Sequence, residues 1–385
     1  MDYIFEKGTF TEEDLEHAII QLFEQEGYSY VYGDDIHRKL EDVVLVEDLR
    51  SYICNKYAAA NLTTTEIKTI INRVLDVGSS ASLYAKNKEA FYLITEGFDL
   101  VREDVNQVGL HIDFIDFDAP ENNVFKVVNQ YSIKGLSIRR PDLLVFINGI
   151  PVCICEFKTA VKEDTTIYDA WKQVTVRYAR DIENLMKYCF LAVISDGANN
   201  RLGSIFTPYE FFYSWNKVND TEKVSNGISS LLSLIKGAFS KERVVAILRD
   251  FVYYPEIEGK EQEIVCRYPQ FFAANSMVEN VKKHLKPLGD GKGGTYFGAT
   301  GCGKTYTMLF MTKLLMQRYS SVFHNPTIII ITDREDLNNQ ARDVFAGAKR
   351  YLHDNDIRAF ESRQDLRDTL LSKESGGVYI TTIQK

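Results

Sequence analysis

Two carboxylates and a lysine are the residues whose types and spacing most directly suggest chemistry. Asp142 stands at the start of one apolar segment, and Glu156 and Lys158 close the next one as Glu-Phe-Lys. Carboxylates on neighbouring strands can hold Mg²⁺, which polarises a phosphodiester and acidifies a bound water. Lys158 would stabilise that nucleophile or the charge that builds on the phosphorus. The pattern predicts Asp142, Glu156 and Lys158 as catalytic residues, with both carboxylates as Mg²⁺ ligands. A solvated strand end with ordinary charges is the alternative.

The two apolar segments are predicted to form a β-hairpin, because Asn148-Gly149 between them is a strong turn signal. With a regular two-residue turn, Asp142 would pair with Cys155 and point away from Glu156. A three-residue loop or a β-bulge would instead bring both carboxylates to one face. We therefore predict one of these two irregularities, with Asp142 and Glu156 close enough to share one Mg²⁺.

A glycine-rich segment, GATGCGKT at 298–305, fits the phosphate-loop pattern G-x-x-x-x-G-K-[ST]. It lies between TYFG, predicted as a short strand, and a predicted helix, whose N-terminus would face the phosphates. Lys304 would reach the β- and γ-phosphates of ATP, and Thr305 would bind the accompanying Mg²⁺. A chance glycine-rich turn before a helix is the alternative. The predicted ATP-binding residues here are Gly298, Thr300, Gly301, Cys302, Gly303, Lys304 and Thr305.

Two α/β domains are predicted to position these sites. Helices are predicted at 11–25 (capped by Thr11 and Asp14), 36–57, 63–75 and 168–186, and strands at 91–158, 189–194, 295–298, 327–332 and 378–382. The first part of this order predicts a mixed-sheet α/β domain over residues 1–225. A helical linker is predicted at 226–262. Alternating strands and helices over 263–385 predict the first part of a parallel, doubly wound domain.

The composition is that of an ordinary globular protein, with 45% hydrophobic and 26% charged residues among 385. The net charge of −9 argues against a general nucleic-acid coat, so any DNA contact would lie in a local basic groove. The six cysteines lack zinc-binding spacing, which predicts free thiols in a reducing cytoplasm. Neither a signal peptide nor a membrane-spanning segment is evident, so no membrane association is expected.

Two helices carry polar residues that could complete the carboxylate site. Glu13 and Glu16 lie one turn apart on the first predicted helix. Gln173 and Tyr178 lie on the helix after the hairpin, where they could flank a bound DNA phosphate. A solvated helix surface is the ordinary explanation for both pairs.

Taken in order, these motifs resemble a known family. Pro141-Asp142, thirteen residues and Glu156-x-Lys158 match the PD-(D/E)xK nuclease pattern. Together with neighbouring segments they resemble the nuclease domain of type I restriction enzyme R subunits. Those segments are Asn129-Gln130-Tyr131, Arg139-Arg140, Asn148-Gly149-Ile150-Pro151, Ser195-Asp196-Gly197 and the aromatic cluster ending at Trp215. The start of the motor domain in the same subunits is similar to Arg267-Tyr268-Pro269-Gln270, the phosphate loop, Thr332-Asp333-Arg334 with Leu337 and Gln340, and Thr381-Thr382-Ile383-Gln384-Lys385.

The resemblance implies a PD-(D/E)xK nuclease-like mixed-sheet domain followed by the beginning of a RecA-like, superfamily 2 helicase domain. It implies a bacterial or archaeal subunit that cuts double-stranded DNA with Mg²⁺ and moves along DNA using ATP. Methyltransferase (M) and specificity (S) subunits would be its partners.

The resemblance also implies roles for single residues. Gln270 would lie at the adenine of ATP, and Thr332, Arg334 and Thr382 toward DNA. The family carries Gln and Tyr four residues apart on the helix after the hairpin. Here Gln173 and Tyr178 are five apart and Arg177 stands at the expected place, which leaves the role of Tyr178 open.

Nothing after the phosphate loop reads as the acidic Mg²⁺ box of helicase-type motors. We therefore expect the chain to be a fragment of a longer protein, without meaningful ATPase activity by itself. Two alternatives remain: another helicase–nuclease of DNA repair or defence, and a non-catalytic ATP-binding scaffold. Mg²⁺-dependent nicking of plasmid DNA would distinguish an enzyme from a scaffold.

Overall fold

The computed structural model describes residues 11–78, 82–158, 166–227 and 229–385. The chain forms two compact units, one extending through Arg249 and the other from Asp250 to Lys385. Their boundary lies inside the segment predicted as a linker, 226–262. Phe239, between the two helices of that segment, packs edge-on against Phe23 of the first unit. Among the described residues, no helix combines the length and apolar character needed to cross a membrane.

Four helices of the first unit precede the predicted hairpin. They are α1 (Glu12–Gln25), α2 (Val46–Lys56), α3 (Thr64–Leu75) and α4 (Leu83–Glu96). The predicted capping box of α1 is confirmed, since Thr11 and Asp14 exchange side-chain and backbone hydrogen bonds. The helix predicted over 36–57 begins only at Val46, because the Arg38 guanidinium holds a loop by donating to the carbonyls of residues 39, 42 and 132. The prediction of strands from residue 91 is wrong up to Glu96, where α4 ends.

The strands of the first unit form a mixed sheet and two small hairpins. They are β1 (Ser29–Tyr32), β2 (Phe98–Leu100), β3 (Leu110–Ile112), β4 (Phe125–Asn129), β5 (Ile133–Lys134), β6 (Ile138–Arg139), β7 (Leu143–Ile147), β8 (Ile150–Phe157), β9 (Leu191–Ser195), β10 (Asn200–Gly203) and β11 (Tyr213–Ser214). Within the described residues, seven of them pair in the order β1-β4-β7-β8-β9-β10-β11. The β1–β4 and β8–β9 pairs are parallel and the other neighbours antiparallel. Every residue of β7 and β8 is buried, so this central hairpin is the core that positions the carboxylates.

The helices that follow the hairpin cover the sheet. They are α5 (Ile167–Lys172), a π-helical segment (Gln173–Tyr178), α6 (Ala179–Asp181), α7 (Glu183–Met186), α8 (Ser229–Ala238) and α9 (Lys241–Asp250). The helix predicted at 168–186 is thus confirmed in extent, but it is interrupted by the π-helix. That interruption changes which side chains share a face.

The β7–β8 hairpin confirms the predicted bulge and excludes the three-residue loop. Ile147 pairs with Ile150, so Asn148 and Gly149 form a two-residue turn, with φ of 51° and 78° as a type I′ turn requires. The register then shifts, since Val145 pairs with residue 153 and Phe146 with residue 151. Val152 is therefore the extra residue of a bulge, and its carbonyl accepts a hydrogen bond from the N–H of residue 190 before β9.

We expect Gly149→Ala to lower the free energy of unfolding of the first unit by roughly 3 kcal/mol. Gly149 has φ of +78°, and a Cβ there would lie 2.2 Å from the Leu45 carbonyl oxygen. Urea unfolding followed by tryptophan fluorescence measures the effect, because Trp171 and Trp215 both lie in this unit. Gly227→Ala is the control, since its φ is +60° but no atom lies within 4 Å of the added Cβ. Equal losses in the two variants would contradict the role of the Leu45 contact.

The second unit carries the phosphate-loop segment. Its elements are β12 (Val252–Tyr253), β13 (Ile264–Val265), α10 (Tyr268–Lys283), α11 (Lys304–Lys313), α12 (Ser320–Phe323), β14 (Ile328–Thr332), α13 (Glu335–Ala346), α14 (Lys349–Leu352), β15 (Ile357–Ala359), α15 (Arg363–Ser372) and β16 (Val378–Thr382). Three strands pair in parallel in the order β14-β16-β15 within the described part of this unit, which confirms the predicted alternation there. The predicted strand TYFG is not formed. Phe297 is 93% exposed, and this segment has no paired neighbour among the described strands to satisfy its backbone groups.

Candidate active site

The β7–β8 bulge brings Asp142, Glu156 and Lys158 together. Leu143 pairs with Cys155, so Asp142 lies opposite Glu156 on the same face of the sheet. The Asp142 carboxylate accepts the backbone N–H of Phe157 at 2.7 Å, which ties it to β8. Lys158 Nζ donates to Glu156 Oε1 at 2.6 Å, and Glu156 is completely buried. Three residues predicted from their spacing therefore form one cluster.

Burial raises the pKa of both carboxyl groups. It raises the pKa of Asp142 to about 6, although the hydrogen bond from Phe157 and the charge of Lys158 act in the other direction. Burial together with the charge of Asp142 raises the pKa of Glu156 to about 8. Burial alone would lower the pKa of Lys158, but the carboxylates of Glu156 and Asp142 outweigh it and raise that pKa. The cluster therefore holds more potential negative charge than one lysine compensates.

We expect Asp142→Asn to stabilise the metal-free first unit as the pH rises. A folded pKa above the usual 3.8 means that stability is fully present below 3.8 and is lost as the pH rises through about 6. Asparagine keeps an acceptor for Phe157 N–H without the charge, so the gain approaches about 3 kcal/mol above that window. Urea unfolding in EDTA at pH 5 and pH 7.5 tests this, with Glu121→Gln as an exposed control. A gain that is absent, or larger at pH 5, would contradict the assignment.

The carboxylate pair suits a hard divalent cation. Asp142 and Glu156 offer oxygen donors only, and Mg²⁺ typically takes one or two carboxylates while keeping several waters. Among the described residues, no group of three or more His, Cys, Asp or Glu side chains is placed to hold a metal ion. The raised pKa values of the two carboxyl groups indicate that the cluster lacks positive charge. A divalent cation would supply it. The residues present therefore fit Mg²⁺.

Tyr178 reaches the cluster through the π-helix. Its hydroxyl donates to Glu156 Oε2 at 3.0 Å and accepts a hydrogen bond from Gln173 Nε2 at 2.7 Å. In a π-helix, residues five apart come to the same side of the helix, which is why Gln173 can bond the Tyr178 hydroxyl that contacts Glu156. Arg177, which stands at the position that the family's four-residue spacing would assign to the tyrosine, is exposed. A contact of Gln173 and Tyr178 with DNA stays a prediction.

Two glutamates of α1 also face the cluster. Glu16 accepts hydrogen bonds from the side-chain amides of Asn129 (2.6 Å) and Gln130 (2.7 Å), while the Gln130 N–H donates to the Asp142 carbonyl at 3.2 Å. The charges of Glu16 and Glu12 both raise the pKa of Asp142. Glu13 is only a surface residue, with 85% of its side chain exposed. The sequence analysis missed Glu12, although its four-residue spacing from Glu16 places the two on one helix face.

The phosphate-loop segment wraps around the lysine that was predicted to hold phosphate. Lys304 Nζ donates to the carbonyls of Gly298 (2.9 Å) and Ala299 (3.1 Å), so it lies over the loop. Gly301 and Gly303 have φ of 79° and 83°, which glycine adopts without strain. Helix α11 begins at Lys304, with Thr305 in its first turn. ATP binding by this segment, including Thr300 and Cys302, stays a prediction.

Gln270 lies against the same loop. Its amide Nε2 donates to the carbonyls of Cys302 (3.4 Å) and Gly303 (3.3 Å), and its Oε1 accepts from the N–H of Arg267. Contact with adenine stays a prediction.

Three residues predicted to face DNA lie at the carboxyl ends of neighbouring strands. Thr332 of β14 pairs with Thr382 of β16, and Arg334 follows at the start of α13 with most of its side chain exposed. Thr382 is buried, and its hydroxyl has no hydrogen-bond partner among the described residues. Their role toward DNA stays a prediction.

Comparison with known proteins identifies the family. The model of the type I restriction enzyme R protein N terminus matches residues 9–211, and that of the SWI2/SNF2 ATPase matches residues 269–385. The type I restriction enzyme HindI endonuclease subunit of Haemophilus influenzae is 30% identical over 97% of this chain. The putative type I restriction enzyme MjaIXP endonuclease subunit of Methanocaldococcus jannaschii is 28% identical over 96%. This chain spans 36% and 37% of the lengths of those relatives. Since the first model covers more than half of the residues, the chain belongs to the type I restriction enzyme R protein family.

Proposed function

We propose that the first unit is a Mg²⁺-dependent endonuclease that cuts double-stranded DNA. The observation that carries this proposal is the cluster of Asp142, Glu156 and Lys158, in which the two carboxylates share one face of the sheet and Lys158 donates to the buried Glu156. The names of the relatives, which describe endonuclease subunits, support it.

In this proposal each residue of the cluster has a separate task. Asp142 and Glu156 would hold Mg²⁺, which supplies polarisation of the phosphodiester and a more acidic bound water. Lys158 holds a positive charge where the attacked phosphate gains negative charge. Tyr178 holds Glu156 in its orientation by donating a hydrogen bond to it, and Gln173 holds Tyr178 by donating to its hydroxyl. These hydrogen bonds act before any DNA arrives, so the site is preorganised.

A supercoiled plasmid incubated with the chain tests the proposal. We expect relaxed and linear products in Mg²⁺ and intact plasmid in EDTA. Intact plasmid in both buffers at micromolar protein would favour the non-catalytic scaffold.

We expect Tyr178→Phe to slow Mg²⁺-dependent nicking by about 10- to 100-fold, because residues that orient a metal ligand carry effects of that size. Loss of the hydroxyl leaves Glu156 Oε2 without its donor. A shift of the Mg²⁺ concentration at half-maximal rate would accompany the loss. Arg177→Ala is the matched control, since this neighbour is exposed. A larger effect at Arg177 than at Tyr178 would contradict the π-helical alignment.

We propose that the second unit binds ATP and belongs to a motor that moves the protein along DNA. The match of residues 269–385 to the SWI2/SNF2 ATPase supports this proposal. In the longer protein, the chain would work with methyltransferase and specificity subunits, as the type I restriction names of its relatives suggest. Co-purification of the full-length protein with those two subunits tests the partnership.

A further inference from the structure

An aromatic cluster lies at the start of the helix that leads to Gln173. Tyr168 and Trp171 of α5 stack with ring centroids 5.3 Å apart and planes 15° from parallel. Tyr209, in the turn before β11, meets these rings edge-on at 5.0 and 6.1 Å. The Trp171 indole N–H donates to the carbonyl of Thr207 at 3.0 Å, which fixes the cluster against the turn. We call Tyr168, Trp171 and Tyr209 the aromatic platform.

Two cations lie over the rings of the platform. Lys172 Nζ is 4.8 Å from the centroid of Tyr168, and the guanidinium carbon of Arg201 is 5.1 Å from that of Tyr209. Asp169 also pairs with Lys172, at 3.0 Å, whereas Arg201 pairs with no carboxylate among the described residues of this cluster. Flat rings interleaved with cations complement a ligand that has planar groups and repeated negative charges.

The platform differs from the aromatic core beside it. Tyr168 is 42% exposed, whereas Phe212 and Trp215 of the neighbouring segment are 3% and 1% exposed. Core packing therefore explains the rings of Phe212 and Trp215, but it does not explain the exposed surface of Tyr168. A surface of stacked rings held in place by a backbone hydrogen bond is preformed for a ligand.

Tyr168 and Trp171 of the platform lie on α5, which continues into the π-helical segment that contacts the carboxylate cluster. Tyr168 and Gln173 are separated by about 7.5 Å along the helix axis, at 1.5 Å per residue. Gln173 contacts Tyr178, which contacts Glu156. We infer that the aromatic platform stacks unpaired bases of a single-stranded stretch of DNA beside the phosphate that the first unit cuts. This inference rests on the proposed nuclease function, and it adds that the double-stranded DNA is locally unpaired beside the phosphate that is cut.

Fluorescence anisotropy with a short labelled oligothymidylate in EDTA tests the inference on the whole chain. Tyr168→Ala and Tyr209→Ala are each expected to weaken binding about tenfold, because stacking on one aromatic ring contributes that much per base. Tyr168→Phe should keep the affinity, since the ring remains. Tyr32→Ala is the matched control, because Tyr32 is 37% exposed on β1 at the opposite edge of the sheet. An abasic oligonucleotide should bind the wild-type chain weakly and should not respond to the tyrosine changes.

Several results would overturn the inference: an unchanged affinity in both alanine variants, an equal loss for the abasic strand, or an equal loss for a duplex. If Tyr168→Ala unfolds, Arg201→Met tests the same surface, with an expected loss for the oligothymidylate. A failure of the nuclease proposal can be told apart from a failure of this inference, because binding is measured without metal and does not depend on cleavage. A chain that cuts plasmid normally but binds oligothymidylate equally with and without the platform rings would refute the platform alone.

Discussion

Asp142→Asn is expected to reduce Mg²⁺-dependent plasmid cleavage by about a thousandfold or more, while the protein stays folded. A metal-bound transition state gains several kcal/mol from its ligands, and each 1.4 kcal/mol corresponds to a factor of ten in rate. The amide still accepts the Phe157 N–H, so the β7–β8 hairpin keeps this contact. The measurement is the rate of plasmid nicking over a range of Mg²⁺ concentrations.

The same variant has a second readout, since it should be more stable than the wild-type protein at pH 7.5 in EDTA. Loss of cleavage together with a gain in stability is expected of a carboxylate that is needed for function but whose buried charge destabilises the fold. Glu121→Gln, an exposed carboxylate of the same unit, should change neither property. Cleavage by Asp142→Asn at the wild-type rate would refute the assignment of the cluster.

Lys304→Ala is expected to reduce ATP hydrolysis by the full-length protein about 100- to 1000-fold, the size of effect seen when one donor to a developing charge is removed. In the structure Lys304 Nζ donates to two loop carbonyls, and phosphate oxygens would be stronger acceptors for this ammonium. Lys304 is exposed, so the variant should fold. Steady-state phosphate release with and without DNA measures the effect.

Lys292→Ala is the control for Lys304, because it removes an exposed lysine from the glycine-rich segment just before the loop. Cleavage that depends on movement along DNA should be lost with Lys304→Ala. Mg²⁺-dependent cleavage that does not require ATP should remain. Normal ATP hydrolysis by Lys304→Ala would remove the basis for a phosphate loop at 298–305.

Local pattern was enough to propose the residues of both candidate sites. A metal site shared by Asp142 and Glu156 required an irregular hairpin, since side chains alternate between the faces of a strand and a regular turn would separate the carboxylates. The capping box at Thr11 and the parallel strands β14 and β16 were also predictable, because each depends on nearby residues.

Other features depended on contacts between residues far apart in the chain. The bulge falls at Val152, whose carbonyl accepts a hydrogen bond from the N–H of Phe190 before β9, and only the assembled sheet provides that donor. The burial and the neighbouring charges that raise the pKa values of Asp142 and Glu156 also come from the folded unit, and residue spacing does not predict them. The predicted strand TYFG failed for a related reason, because a strand needs a paired neighbour as well as an apolar sequence.

The sequence by itself determined which residue types could do chemistry, and it predicted that Asp142 and Glu156 share a face if they hold one metal ion. Only the tertiary structure decided that Tyr178 joins them. The four-residue spacing of the family pointed to Arg177, whereas the π-helix turns Tyr178 toward Glu156 and leaves Arg177 exposed. The physical reason is that an inserted residue can be absorbed as a wider helical turn when packing and a buried hydrogen bond stabilise it.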